Sequence, residues 1–145
     1  MPHADPMILL SGYEPQTARG KVESWVEVSE RSPFYEAEIG GVPGCVALEY
    51  MAQTMALLTG LERRRDNLPP KMGFVLGSRR LEVLVPCFKK GAKYRIKAES
   101  TYQDESFGSF DCTISDESGA VVASALVTAF QPEDGATPEK LGELK

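Results

Sequence analysis

The sequence predicts an α+β domain: one long helix packed against an antiparallel sheet of about five to six strands. Two observations predict it. A near-continuous apolar stretch of helical length, roughly Val46 to Arg65, sits alone among segments of strand character, and those segments fall two before it and four after it without any internal repeat. Strands gathered beside one segregated helix indicate antiparallel pairing.

In chain order, "MILLSGY" (Met7 to Tyr13) is apolar enough for a short buried strand. "GKVESWVEVSE" alternates, with Val22, Ser24, Val26 and Val28 on one face and Lys21, Glu23, Trp25 and Glu27 on the other. Pro43 and Gly44 mark the helix entry. Arg63, Arg64 and Arg65 suit the negative end of the helix dipole, and Pro69 and Pro70 forbid continuation. The later strands are "MGFVLGSRRLEVLVP", "AKYRIKAESTYQ", "FGSFDCTISDE" and "AVVASALVTAF". In the second of these, Tyr94, Ile96, Ala98 and Ser100 oppose Lys93, Arg95, Lys97 and Glu99. "SDESGA" is a turn in which Gly119 can take positive φ, so the last two strands form a hairpin. From Gln131 the sequence lacks apolar periodicity. Residues 1–130 are therefore read as one domain and 131–145 as a flexible tail.

Composition narrows the function classes. The 145 residues are 42% hydrophobic and 26% charged, as in a globular protein able to bury a core. A net charge of −5 argues against nucleic acid or an anionic membrane as partner. No segment reaches the roughly 18 to 20 apolar residues that span a bilayer, and "MPHADPMILL" lacks the basic start of a signal peptide. Three widely spaced cysteines, Cys45, Cys87 and Cys112, and a single histidine give neither a disulfide framework nor a zinc-ligand set. A reducing, cytoplasmic setting and no metal or other cofactor are expected.

The helix itself raises the functional question. Val46, Ala47, Leu48, Tyr50, Met51, Ala52, Met55, Ala56, Leu57 and Leu58 cover its whole circumference, so either the sheet wraps around it or a second subunit covers what the sheet leaves bare. Within that run lies Glu49, with Gln53 four residues on and therefore on the same face. A carboxyl group among apolar neighbours is expected to stay protonated and to serve as a general acid. The plain alternative is that Glu49 only complements the helix dipole and reaches water. Gly44 permits close backbone approach, and the N–H groups of Gly44 and Cys45 at the helix start can hold a carbonyl oxygen on which charge develops.

These residues bring a family into view. "PGCVALEYMAQ" resembles the helix-start motif of hot-dog fold 3-hydroxyacyl-acyl-carrier-protein dehydratases of the FabA/FabZ type. "MPHADPMILL" resembles their N-terminal segment and "SPFYEAE" the piece just before their catalytic loop, while "GFVLGSRRLEVLVPCFKKGAKYRI" is similar to the ApeP-like dehydratases of aryl polyene pigment biosynthesis; the resemblance covers about Pro2 to Phe130. The resemblance implies a long central helix wrapped by a curved antiparallel sheet, paired as a homodimer or with a related dehydratase. It implies active sites at the dimer interface that combine a histidine with an acid on the central helix. It places Glu49 on the acid position and the amides of Gly44 and Cys45 on the thioester carbonyl; Gln53, on the face of Glu49, is expected to bind the substrate with them. Better-known members carry their histidine in a His-Phe-Pro-Gly loop before the helix, where this chain reads "YEAEIGGVPG". His3, the one histidine present, is therefore expected to be the base.

The implied reaction removes water from a 3-hydroxyacyl thioester borne on acyl carrier protein, giving a trans-2-enoyl thioester in fatty acid or aryl polyene biosynthesis. An acidic carrier calls for a local basic surface, with Arg79 and Arg80, Arg63 to Arg65, or Lys89 and Lys90 as candidates. Tyr50, Met51, Phe74 and Phe88 are candidates for an acyl tunnel, or plain core. Two other readings stand beside this one: an acyl thioesterase on the same fold, and a non-catalytic subunit completing a heterodimer.

Overall fold

Period-two alternation builds the sheet. In strand β2 (Lys21–Glu27) Val22, Ser24 and Val26 are buried, while Lys21 and Glu27 face solvent. β6 (Lys93–Gln103) buries Tyr94, Ile96 and Ala98, and β7 (Phe107–Ser115) buries Gly108, Phe110, Cys112 and Ile114. With β1 (Gly12–Tyr13), β4 (Phe74–Val83) and β8 (Val121–Phe130) they form a six-stranded antiparallel sheet in the order β1-β2-β6-β7-β8-β4. The computed structural model describes residues 8–70, 73–104 and 106–131, with the side chain of Phe74 excluded. His3, the Phe74 side chain and the tail from residue 132 therefore lie outside the described residues.

The expected β7–β8 hairpin forms, with Gly119 at φ +91° and the Asp116 carboxylate accepting from the Ser118 and Ala120 amides. Those amides hold the Asp116 carboxyl below its ordinary range, together with the Ser118 hydroxyl, which contributes most. Two expectations need correction. Among the described residues, the strand expected over Met7 to Tyr13 is confined to Gly12–Tyr13, because Leu9 gives its N–H to the helix residue Gln53 instead of to a strand. A second, two-stranded sheet of β3 (Gly41–Pro43) and β5 (Cys87–Lys89) was not foreseen, since three residues are too few to show a period.

That small sheet fixes the helix entry. A side chain at Gly41 would place Cβ 2.3 Å from the Phe88 carbonyl oxygen, and one at Gly44 would place it 2.6 Å from that of Val85. Gly44 also donates its N–H to the Pro86 carbonyl at 2.9 Å. A single 3-10 turn (Gly44–Val46) leads into α1 (Ala47–Arg65). The helix ends in a Schellman motif: Asn67 takes φ +57°, its N–H bonds the Arg64 carbonyl, and the Leu68 N–H bonds that of Arg63. Pro69 and Pro70 follow, where no helix could continue.

One side of α1 makes the core. Ala47, Tyr50, Met51, Thr54, Met55, Leu58 and Thr59 are buried against the sheet, a stripe at i, i+3, i+4, i+7, i+8 spacing. Phe88 is fully buried between Tyr50 and Tyr94, edge-on to both with ring centres 5.2 and 5.0 Å away. Burial pushes the Tyr50 phenol up to about 12. A polar pin joins helix to sheet: the Thr54 hydroxyl donates to the Tyr50 carbonyl at 2.9 Å, which spends its one proton, so Ser24 is the donor in the 2.7 Å Ser24–Thr54 bond. Both side chains are fully buried.

Two stability measurements follow from this packing. Thr54→Val strands the Ser24 hydroxyl without its acceptor and costs about 1–3 kcal/mol in urea denaturation, whereas adding Ser24→Ala recovers part of that loss. Additive single and double losses would refute the pin. Gly44→Ala drives Cβ into a backbone carbonyl and costs about 1–3 kcal/mol in the same assay; an unchanged midpoint would show that the β3–β5 contact is slack.

Candidate functional site

The other side of α1 is where the structure departs most from expectation. Glu49 is exposed in the single protomer, as are Cys45, Ala56 and Gly60, with Ala52 and Gln53 partly so. The carboxyl group is not enclosed by the apolar residues that flank it in sequence. Those residues point to the core at other angles around the helix, and the sheet covers only the side bearing Tyr50, Met51 and Met55. Of the two coverings considered for an all-round apolar helix, the sheet supplies half.

The Gly44 N–H is given to the Pro86 carbonyl, and its Cα lies against β4 and the following loop. Cys45, the next residue, is exposed, and its amide, the second of the turn, has no intrahelical acceptor. Glu49 follows one turn later on the same face.

Gln53 has a definite job. Its carboxamide oxygen accepts the Leu9 N–H at 2.9 Å, and Leu9 is itself buried in the core. Ser11 then donates to the Trp25 carbonyl, joining the segment to β2. The described chain thus begins on the helix face that carries Glu49, one turn beyond it. Nothing in the sequence distinguishes a glutamine that holds its own chain from one that holds a substrate.

Alongside this face runs an apolar groove of about 300 Å³, walled by Ala52, Ala56 and Gly60 of α1 and by Val75, Phe110 and Ala129 of the sheet. β4 forms its outer edge. Among the described residues this strand pairs on one side only, with β8, and it exposes Val75, Leu76 and Leu81, with Leu84 just after it. Tyr50, Met51 and Phe88 are fully buried core residues. Among the basic candidates, Arg63 caps the Pro69 carbonyl, Arg65 bonds Gln16 and Lys90 pairs with Glu30, while Arg79 and Arg80 are exposed on β4. Cys45, Cys87 and Cys112 are free thiols. Among the described residues there is no cluster of three metal-ligating side chains and no helix long and apolar enough to cross a membrane.

Comparison with known proteins now adds to this geometry. The dehydratase heterocomplex ApeI:P from Xenorhabdus doucetiae matches with a TM-score of 0.84 and 32% sequence identity, over 99% of this chain and 93% of that one. A hypothetical thioesterase from Streptococcus pneumoniae TIGR4, solved with coenzyme A, matches at TM-score 0.63 and 22% identity over 86% of this chain and 88% of that one. The PaaI protein of the Escherichia coli phenylacetic acid degradation operon matches at 0.61 and 13%, over 79% and 74%. These two share the hot-dog fold alone. No curated protein matches the sequence. The ApeP-like family model, described as ApeP dehydratase, matches residues 1–140. With its long helix against a six-stranded antiparallel sheet, the chain belongs to the ApeP-like family of hot-dog dehydratases.

Proposed function

We propose that the chain takes part in dehydrating a 3-hydroxyacyl thioester, delivered on acyl carrier protein, to the trans-2-enoyl thioester. The observation that carries this reading is the composition of one helix face: a carboxyl group, Glu49, one turn beyond the amide of Cys45, which has no acceptor among the described residues, with the N-terminal segment tied down beside it by Gln53.

In this mechanism the Cys45 N–H polarises the thioester carbonyl, which makes the C2 proton more acidic. Neutral His3 takes that proton, the C2–H electron pair forms the C2=C3 double bond, and the C3–O bond breaks. Glu49 gives its proton to the departing hydroxyl, which leaves as water, and the imidazolium and carboxylate then exchange protons with solvent. Gly44 and Gln53 serve as positioning residues, one holding the Cys45 turn and the other the segment on which His3 lies.

A related hot-dog subunit seated on the bare face of α1 and the open edge of β4 completes the site. Covering removes water from around Glu49, and a carboxyl group taken out of water favours its neutral, proton-donating form. The exposed apolar residues of β4 support such an interface, since an unpaired edge bearing Leu76, Leu81 and Leu84 invites a partner. The heterocomplex of the X. doucetiae relative supports a related dehydratase in that place. The pathway, fatty acid or aryl polyene synthesis, and the cytoplasmic setting belong to this same reading.

The coenzyme A-bound thioesterase neighbour motivates one rival, hydrolysis at the same face. Incubation of the chain, alone and with a sister dehydratase, with 3-hydroxyacyl-carrier protein separates the two. Loss of water without free thiol is expected; thiol release would establish the thioesterase. Glu49→Gln should lower kcat by about 10²–10⁴ without changing Tm, and His3→Ala by a similar factor. Full turnover in both variants would reduce the chain to a supporting subunit.

A further inference from the structure

Arg80 sits where an arginine should not be comfortable. It lies within β4 at φ +55°, the left-handed region that costs a side chain conformational energy and that glycine adopts freely. The register explains how. Arg79 stands opposite Leu126 and Glu82 opposite Ser124, so Arg80 and Leu81 share the one remaining position, Ala125. The strand is bulged there, and bulges re-aim side chains. Ala125 belongs with Ala123 and Val127 to the buried, helix-facing side of β8. The bulge therefore turns Arg80 and Leu81 toward the side of the sheet on which α1 lies.

Three further facts bear on its use. Arg79 and Arg80 are both exposed, and neither side chain has an ion pair or hydrogen bond among the described residues, although the chain carries a net charge of −5. Val83, three residues along the strand, packs against the position of Gly44 at the helix start. At roughly 3.3 Å per strand residue, Arg80 is about 10 Å from that contact, and its own side chain extends the reach. An anion there would lie well away from the thioester carbonyl held at Cys45, at the far end of a long connecting arm.

We infer that Arg80, with Arg79 beside it, binds the phosphate of a phosphopantetheine arm whose thioester lies at the Cys45–Glu49 face. The inference rests on the proposed thioester chemistry and assigns the substrate's remote anchor. A guanidinium presents a planar fork of donors that matches phosphate oxygens two at a time, and adjacent arginines concentrate positive potential on an otherwise acidic protein. Strain kept at the bulge fixes the backbone that aims the fork.

The test uses the full chain and two ligands that differ only in the phosphate: S-butyl phosphopantetheine and S-butyl pantetheine, thioethers that cannot react. The wild type is expected to bind the phosphorylated form about tenfold tighter or more in equilibrium titration. Arg80→Gln should bring that ratio close to one, with Arg80→Lys between. Arg80→Gly should also abolish the preference while raising Tm by a few degrees, because glycine relieves the backbone, and the raised Tm certifies that this variant is folded. Equal binding of the two ligands by the wild type, or a ratio that survives Arg80→Gln and Arg80→Gly, overturns the inference. Carrier-bound and coenzyme A-bound butyl thioethers distinguish the source: equal weakening by Arg80→Gln assigns the phosphate they share, whereas weakening confined to the carrier form overturns that assignment. Turnover is read separately. A phosphate preference without dehydration would leave the subsite standing and remove the dehydratase, and dehydration without the preference would do the reverse.

Discussion

A helix that is apolar on nearly every side needs more cover than one layer of sheet can give, and the rest of this molecule is arranged around that shortage. The sheet takes the side of α1 carrying Tyr50, Met51, Met55 and Leu58, and secures it with the Phe88 ring stack and the buried Ser24–Thr54 bond. The opposite side keeps small residues, Ala52, Ala56 and Gly60, together with Cys45 and Glu49. A smooth, small-residue surface bearing one acid and one amide without an acceptor among the described residues suits a ligand and a second protein layer, and the ApeP-like family to which the chain belongs is one of dehydratases.

Rigid elements hold each part of that surface. The β3–β5 pair grips the backbone at Gly41 and Gly44, so the Cys45 turn is set by carbonyl contacts rather than by loop flexibility. The N-terminal segment arrives across the helix and is fastened by Gln53 and by Trp25. At the far end of α1, Glu62 accepts from the Gly20 amide and from Gln16, and Arg19 pairs with Asp66, so the loop before β2 is clasped to the helix terminus. Both ends of the helix are thereby fixed.

Much of this was legible in the residues, and the misses have physical causes. Alternation at Val22, Ser24, Val26 and at Tyr94, Ile96, Ala98 announces half-buried strands, and the helix bounds agree within one residue. The strands β3 and β5 carry no readable period at three residues each. Glu49 is exposed in the single protomer because apolar neighbours in sequence are spread around a helix by 100° steps, so density along the chain does not give burial at one azimuth. Gly44 announces a close approach but not its object, which proves to be a carbonyl of the chain itself. The bulge at Arg80 leaves no sequence mark, since the usual sign, a glycine, is absent.

The claim on which all this turns is that the thioester lies on the bare face of α1, between Cys45 and Glu49. Alkylation of the three thiols, followed by mass spectrometry, tests it directly: Cys45 is exposed, Cys87 half-buried and Cys112 buried, with its thiol pushed up to about 12 by desolvation, so they form an internal scale of reactivity. A saturating 3-hydroxyacyl thioester should slow modification of Cys45 by at least about tenfold and leave Cys87 unchanged. Undiminished labelling of Cys45 under conditions where the thioester is bound would place the chemistry elsewhere on the fold.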